Sequence, residues 1–177
     1  MMDCKKALTE CEGDFEAAVD FLRKKGQKVS AKRSDRDAKE GVIVTAVSED
    51  GSTGIIAEVN CETDFVARNE EFQAFAGDIV ALILAERPAD VESLKAASLA
   101  SGKTVAIAIE EMTGKIGEKI DVRRFSIVSA GDVGKIVAYI HPGSRLGVLV
   151  KLSGNGNLDA VGRDVAMQVA AMSPVAT

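Results

Sequence analysis

The sequence predicts an α+β fold, in which a small N-terminal helical module precedes a core of two related antiparallel-sheet and helix subdomains, the second incomplete. A pattern of strand, turn and strand followed by an amphipathic helix occurs twice along the chain, whereas the first 25 residues show only helical periodicity. The 177 residues suffice for a core with a small appendage, and 46% are hydrophobic but only 4% aromatic. The core must therefore be built mainly from Val, Ile, Leu and Ala.

Composition and charge argue against several classes of function. The net charge of −5 and the pI near 5.0 disfavour direct nucleic-acid binding, because that needs a basic face. No apolar run approaches the roughly 18 residues of a membrane span, and Met1 leads directly into a charged amphipathic stretch, so we expect neither membrane binding nor a signal peptide. Three cysteines without CxxC spacing and one histidine form no zinc pattern and indicate a reducing cytosol. We predict a cytoplasmic protein without metal or cofactor.

The N-terminal module is predicted to contain two short helices within residues 1–25. Gly13 and Asp14 make the break between them, with Asp14 as the N-cap of the second helix. Gly26 follows two lysines and is predicted to close that helix. Two short helices bury little surface, so we expect a further helix before Met1.

Residues 26–40 are predicted to form a solvated linker, in part helical, because they contain one large apolar residue, Val29, among many charges. Phosphate binding by its basic residues is the less favoured alternative, since acidic residues are interleaved and no aromatic side chain is present for stacking. The predicted segments are 1–25, 26–40, 41–131 for the first core subdomain and 132–177 for the second.

Period-two alternation predicts strands over 42–47 and 55–60, and a helix follows that ends before Pro88. Its apolar stripe consists of Phe72, Phe75, Ala76, Ile79 and Ile83. Two more helices are expected in ADVESLKAA and TVAIAIEEMTGKIG, although the TVAIAI portion alternates as a strand would. A strand over 120–131 is expected to point Ile120 and Val122 inward, with Phe125 as a further inward candidate, and to place the adjacent Arg123 and Arg124 on opposite faces. The strands GKIVAYI and LGVLVKLS and a helix over 158–172 complete the chain.

An internal repeat relates the two core segments. Hairpin residues match at a separation of 93 and helix residues at a separation of 86. The matched pairs are Gly41 with Gly134, Ile43 with Ile136, Val44 with Val137, Gly54 with Gly147, Ala74 with Ala160, Asp78 with Asp164 and Ala85 with Ala171. The first copy therefore has seven additional residues between its second strand and its helix.

These additional residues lie in CETDFVARN, residues 61–69, whereas the second copy makes the same connection with residues 154–157. Because fold closure does not require them, a functional loop is one interpretation. Phe65 would then protrude as a stiff contact surface flanked by Asp64 and Arg68. In the alternative interpretation Phe65 and Val66 fold inward, with Thr63 or Asn69 capping the helix.

Three collinear motifs, MMDCKKALTECEGDFEAAVDFLR, VNCETDFVARNEEF and GKIGEKIDVRRF, closely resemble the bacterial elongation factor Ts family over essentially the whole chain. The resemblance implies an N-terminal module similar to ubiquitin-associated domains and a core of two α+β subdomains. It also implies guanine-nucleotide exchange on the translation GTPase elongation factor Tu, without bond-making chemistry. The family's first helix would lie before Met1, and its coiled-coil protrusion and returning core strands would lie past Thr177.

The resemblance implies a set of contacts with the partner. Asp64 and Phe65 are similar to the family's intruding pair, and Val66 and Arg68 belong to the same segment. Further implied contacts are Ile116 and Gly117 at the end of a helix, Lys5 in the N-terminal module and His141 in the turn of the second repeat. Each of the last three also has an ordinary interpretation, as a helix C-cap for Gly117, a solvated lysine for Lys5 and a turn residue for His141.

Other functions remain as alternatives. An enzyme would need a nucleophile and a base, for which Cys61 and His141 are the available candidates, although they lie in different repeats. A general protein-interaction module would act through the N-terminal helices alone. RNA binding would show a steep salt dependence.

Overall fold

The computed structural model of the chain describes residues 1–131, 134–154 and 156–174. Asn155 of the second connection and the predicted start of the second subdomain at position 132 lie outside these ranges. The fold is α+β, as predicted. Its elements are α1 (Met2–Glu10), α2 (Phe15–Arg33), β1 (Glu40–Val47), β2 (Thr53–Cys61), α3 (Asp64–Ala67), α4 (Glu70–Glu86), α5 (Val91–Ala96), α6 (Val105–Ile116), β3 (Asp121–Ser129), β4 (Gly134–Ile140), β5 (Gly147–Ser153) and α7 (Leu158–Met172).

The two N-terminal helices pack on each other, and α2 also packs on α6. The Asp14 carboxylate accepts a hydrogen bond from the Ala17 amide at 3.0 Å, so the predicted N-cap of α2 is confirmed. The predicted end of this helix at Gly26 is wrong, because α2 continues to Arg33. Gly26 instead lies against Gly114 of α6, and a Cβ on Gly114 would come within 2.5 Å of the Gly26 Cα. The first half of the predicted linker is therefore helical.

The first repeat forms a three-stranded antiparallel sheet in the order β1-β2-β3, covered by α4. The predicted stripe of α4 is confirmed, since all five of its residues are buried in the core. The TVAIAI portion belongs to helix α6, which begins where the Thr104 hydroxyl accepts a hydrogen bond from the Ile107 amide at 3.3 Å. Capping and burial of Val105 and Ile109 thus decide between helix and strand.

The third strand carries a bulge opposite Glu58. Ile120 and Val122 are buried as predicted, and Phe125 packs half-buried against the same core. Arg123 and Arg124, predicted to lie on opposite faces, instead reach the same side chain. The register shifts between Glu58 and Val59, and both guanidinium groups reach the Glu58 carboxylate, at 3.4 Å and 2.6 Å. A bulge places two residues of one strand opposite one residue of the other, which accounts for this convergence.

The second repeat consists of the hairpin β4-β5 with α7 packed on it. Gly162 and Ala166 are the buried residues of α7. A Cβ on Gly162 would lie 2.4 Å from the Val137 Cγ2, so glycine permits the close approach of α7 to the sheet. The predicted repeat of hairpin plus helix is thereby confirmed.

The two hairpins meet in a joint with approximate two-fold symmetry. The Ile43 amide donates to the Ser144 carbonyl at 2.6 Å, and the Ile136 amide donates to the Gly51 carbonyl at 2.8 Å. Both partners in the second bond lie 93 positions from their counterparts in the first, which is the separation of the sequence repeat. The matched residues of the repeat therefore build the contact between its copies.

Among the helices of the described residues, none has the length and apolar character needed to cross a membrane.

Candidate partner-binding site

The additional residues of the first repeat form a one-turn helix, α3, which the sequence interpretation treated as a loop. The Thr63 hydroxyl caps it by accepting a hydrogen bond from the Val66 amide at 3.4 Å. The Asn69 side chain caps α4 directly afterwards, accepting from the Glu71 and Phe72 amides at 2.9 Å and 3.2 Å. Two consecutive caps thus fold the connection into a defined turn instead of an extended loop.

Phe65 points away from the protein. Its side chain is 80% exposed, whereas Ala67 is buried and Val66 packs half-buried against the core. The inward alternative is therefore correct for Val66 and wrong for Phe65. Successive helical residues differ by about 100° in direction, so a helical turn that buries Val66 and Ala67 directs Phe65 outward.

Charged side chains lie on either side of Phe65. The Arg68 guanidinium binds the Asp64 carboxylate at 2.9 Å across one helical turn, and the Arg68 side chain is exposed whereas that of Asp64 is half-exposed. An exposed pair of this kind contributes only about 0.3–0.5 kcal/mol to the helix. Both groups can therefore exchange this pairing for contacts with a partner at small cost.

Ile116 and Gly117 end α6 near the start of α3. Ile116 packs half-buried against the core. Gly117 has the left-handed backbone conformation, with φ of 82°, and its amide donates to the Thr113 carbonyl at 2.8 Å. The ordinary interpretation of Gly117 as a helix C-cap is confirmed, and a contact with a partner stays a prediction.

Lys5 and His141 lie on other elements. Lys5 is exposed on α1, and His141 is exposed in the turn between β4 and β5, where its Nδ1 lies 3.0 Å from the Tyr139 hydroxyl. Within the described ranges, no hydrogen bond or ion pair connects either residue to α3. The structure therefore brings together the segments of Phe65 and Gly117, and leaves Lys5 and His141 as separate points.

Two glutamates beneath α3 were missed by the sequence interpretation. The Glu118 carboxylate accepts hydrogen bonds from the Thr63 amide at 3.0 Å and from the Thr63 hydroxyl at 2.7 Å. The Glu62 carboxylate accepts from the Lys119 amide at 2.7 Å and binds the Arg33 guanidinium at 2.7 Å. No linear pattern reveals these contacts, because their partners are 55 and 57 residues apart.

The pKa of the Glu62 carboxyl is lowered from its usual value, although this side chain is largely buried. Burial alone would raise the pKa, but the hydrogen bond from the Lys119 amide and the charges of Arg33 and Arg36 outweigh this effect. Glu62 is therefore charged at neutral pH, as a side chain that accepts hydrogen bonds and pairs with arginine should be.

Cys61 is fully buried at the end of β2, with its thiol donating to the Thr63 carbonyl at 3.1 Å. Burial, assisted by the charge of Glu118, raises the pKa of this thiol to about 12. A thiol with such a pKa is a poor nucleophile. His141 belongs to the other repeat, where its Nδ1 lies 3.0 Å from the Tyr139 hydroxyl, and in the described part of the chain no hydrogen bond joins it to Cys61.

The fold and this surface define an α+β protein of two hairpin-and-helix repeats, which presents an aromatic side chain on an inserted helical turn. The model of the protein family described as elongation factor TS matches residues 62–177 of this chain. The chain belongs to the elongation factor Ts family.

Curated relatives agree with this assignment over the whole chain. Proteins named elongation factor Ts from Chloroherpeton thalassium and Chlorobium phaeobacteroides are 49% and 47% identical to it, each over 99% of the chain. The chain spans 62% of the length of each relative.

Proposed function

We propose that this chain binds elongation factor Tu and promotes GDP release during translation elongation, by inserting Asp64 and Phe65 into the GTPase domain. The observation that carries the proposal is the 80% exposure of Phe65, on a helical turn formed by the additional residues of the first connection. Membership of the elongation factor Ts family supports the partner and the process. Translation elongation would place this activity in the cytoplasm.

An exchange factor of this kind makes and breaks no covalent bonds. It must bind the nucleotide-free GTPase more tightly than the loaded one, and by thermodynamic linkage nucleotide and factor then weaken each other's binding equally. Displacing a tightly held nucleotide requires several kcal/mol of differential affinity. Burial of Phe65 contributes about 1.5–3 kcal/mol. Further contacts are therefore needed.

The remaining candidate contacts fit this requirement. Ile116 and Gly117 would extend the surface around Phe65, with Val66 supporting the turn from beneath and Arg68 at its edge. Lys5 on α1 and His141 in the second repeat would contact the partner at two separate points. A broad interface with several such points is typical of stable protein complexes.

The test is release of a fluorescent GDP analogue from elongation factor Tu, with and without the chain. The chain should accelerate release, and Phe65→Ala should slow the accelerated rate about tenfold to a hundredfold, because 1.4 kcal/mol corresponds to a factor of ten. The effect on release should exceed the effect on binding affinity. Val161→Ala is the control, since Val161 is an exposed apolar residue on α7, outside the candidate contacts. Unchanged release with Phe65→Ala would contradict the insertion of Phe65.

A second candidate is a protein-interaction module that acts through the N-terminal helices alone. The exposed apolar residues Phe15 and Val19 on α2 favour it. Replacing both with aspartate would abolish all binding to elongation factor Tu if these helices were the sole contact. Under the proposed exchange function, the core contacts and their Phe65 dependence would persist.

A further inference from the structure

The connection that carries Phe65 is fastened by a reciprocal contact, here called the glutamate clasp, formed by Glu62, Thr63, Glu118 and Lys119. The Glu118 carboxylate accepts from the amide of Thr63, which follows Glu62. The Glu62 carboxylate accepts from the amide of Lys119, which follows Glu118. Each glutamate thus binds the backbone next to the other glutamate.

The clasp is strong for a surface connection. The hydrogen bonds to Glu62 and Glu118 have carboxylate acceptors and lengths of 2.7–3.0 Å. Hydrogen bonds to charged groups are about twice as strong as neutral ones. The Glu62 side chain is only 14% exposed, which reduces competition from water.

The clasp joins three segments that are far apart in the chain. It ties the start of α3 to the turn that follows Ile116 and Gly117 at the end of α6. The Arg33 guanidinium extends it to the end of α2 through Glu62. The Lys119 ammonium adds hydrogen bonds to the carbonyls of Ser34 and Arg36, at 2.6 Å and 3.0 Å.

A single helical turn has little stability of its own, because helix nucleation is unfavourable. Helix α3 has four residues, and the Ala67 and Arg68 amides donate to carbonyls four residues earlier, at 3.2 Å each, before the Asn69 amide closes the turn on the Val66 carbonyl at 2.9 Å. The first of these carbonyls belongs to Thr63, whose amide and hydroxyl the Glu118 carboxylate holds. The turn is therefore fixed from outside.

We propose that Glu118 and Glu62 are positioning residues, which hold Phe65 at a fixed orientation relative to Ile116 and Gly117. This proposal rests on the proposed exchange function. Neither glutamate needs to touch the partner. Preorganisation of the turn spares the conformational entropy that an unfixed segment would lose on binding, so loosening the clasp slows exchange through Phe65.

The first experiment measures the clasp itself, by amide hydrogen exchange of the free chain. In Glu118→Ala the Ala67 and Arg68 amides should exchange at least about tenfold faster, while the buried Ile79 and Val80 amides of α4 keep their protection. Glu110→Ala, a glutamate of α6 outside the clasp, is the matched control. Unchanged exchange at Ala67 and Arg68 in Glu118→Ala would overturn the proposal.

The second experiment is a double-mutant cycle on GDP release from elongation factor Tu. Glu118→Ala should slow release several-fold in the wild-type background and have no further effect in Phe65→Ala, because it acts through Phe65. A merely destabilising substitution would slow release by the same factor in both backgrounds, and that result would overturn the proposal. Glu118→Gln keeps one acceptor oxygen and should therefore slow GDP release by an intermediate amount. This variant takes the place of Glu118→Ala if the latter fails to fold.

The two experiments separate this proposal from the function on which it rests. If Phe65→Ala left GDP release unchanged, the exchange function through Phe65 would fail, and hydrogen exchange would still decide whether the clasp orders α3. If Phe65→Ala slowed release but Glu118→Ala did not, the proposed function would stand and the positioning role would be overturned.

Discussion

At the scale of single residues, two neighbours in the same connection have opposite surroundings. Cys61 ends β2 inside the core, where burial raises the pKa of its thiol to about 12. Phe65, four positions later, is exposed and bears the largest apolar side chain of α3. The change from strand to helical turn between them reverses the direction of the side chains, so the chain keeps its thiol inert and its aromatic ring accessible.

The raised pKa of Cys61 predicts slow alkylation in the native protein. A pKa of about 12 leaves roughly 0.01% thiolate at pH 8, and raising the pH from 7 to 9 keeps that fraction near or below about 0.1%. Mass spectrometry after iodoacetamide treatment should therefore find Cys4, exposed on α1, modified and Cys61 intact. In urea both should react. Alkylation of Cys61 as fast as Cys4 without denaturant would contradict the buried thiol.

At the scale of elements, the crossing of α2 and α6 shows how packing overrides a local signal for the end of a helix. Gly26 follows two lysines and has the composition of a helix end, yet α2 continues for seven more residues. Its contact with Gly114 brings the two backbones together. This crossing extends α2 to Arg33, whose side chain then reaches Glu62 of the glutamate clasp.

Gly114→Ala is expected to lower the free energy of unfolding by about 1–3 kcal/mol, because its Cβ would overlap the Gly26 backbone, which cannot yield as a side chain can. Gly77→Ala in α4 is the matched control. Apart from the adjacent backbone of α4 itself, no atom lies within 4 Å of a Cβ at that position, so the higher helix propensity of alanine should stabilise the protein by about 0.5–1 kcal/mol. Urea unfolding of both variants measures the difference. Equal effects of the two substitutions would rule out the close crossing.

At the scale of the whole molecule, the two repeats contact each other through positions that match in the sequence repeat. Ile43 of the first hairpin packs over Gly147 of the second, and Ile136 of the second packs over Gly54 of the first. The two hydrogen bonds donated by the Ile43 and Ile136 amides likewise each connect one hairpin to the other. The same contact is thus made twice, with the roles of the two repeats interchanged, so a substitution in either repeat affects both subdomains.

Gly54→Ala and Gly147→Ala should each destabilise the protein, by about 1–3 kcal/mol. Their Cβ atoms would lie 2.4 Å from the Ile136 Cγ2 and 2.6 Å from the Ile43 Cγ2. In combination with Ile136→Ala, the cost of Gly54→Ala should largely disappear, because the overlapping methyl group is gone. Unfolding of the single and double variants in urea provides the measurement. Additive costs would refute the contact between the hairpins.

The sequence by itself determined the features that depend on residues within about four positions of one another. These are the buried stripe of α4 and the cap of α2 at Asp14. Comparison of the sequence with itself also revealed the hairpin-and-helix unit that occurs twice, because its two copies keep matching residues at fixed separations. Periodicity and capping are encoded locally, since the side chains that cooperate are neighbours along the same helix or strand. The family motif in residues 61–69 was also recognisable from the sequence alone.

The tertiary structure decided the features that depend on distant residues. The sequence left open whether Phe65 points outward, placed the end of α2 at Gly26, and separated Arg123 from Arg124. Each outcome follows from a contact across the fold: the inward packing of Val66, the approach of Gly114, and the bulge opposite Glu58. The glutamate clasp joins residues more than fifty positions apart. Local patterns carry no information about such pairs, because only folding of the whole core brings them into contact.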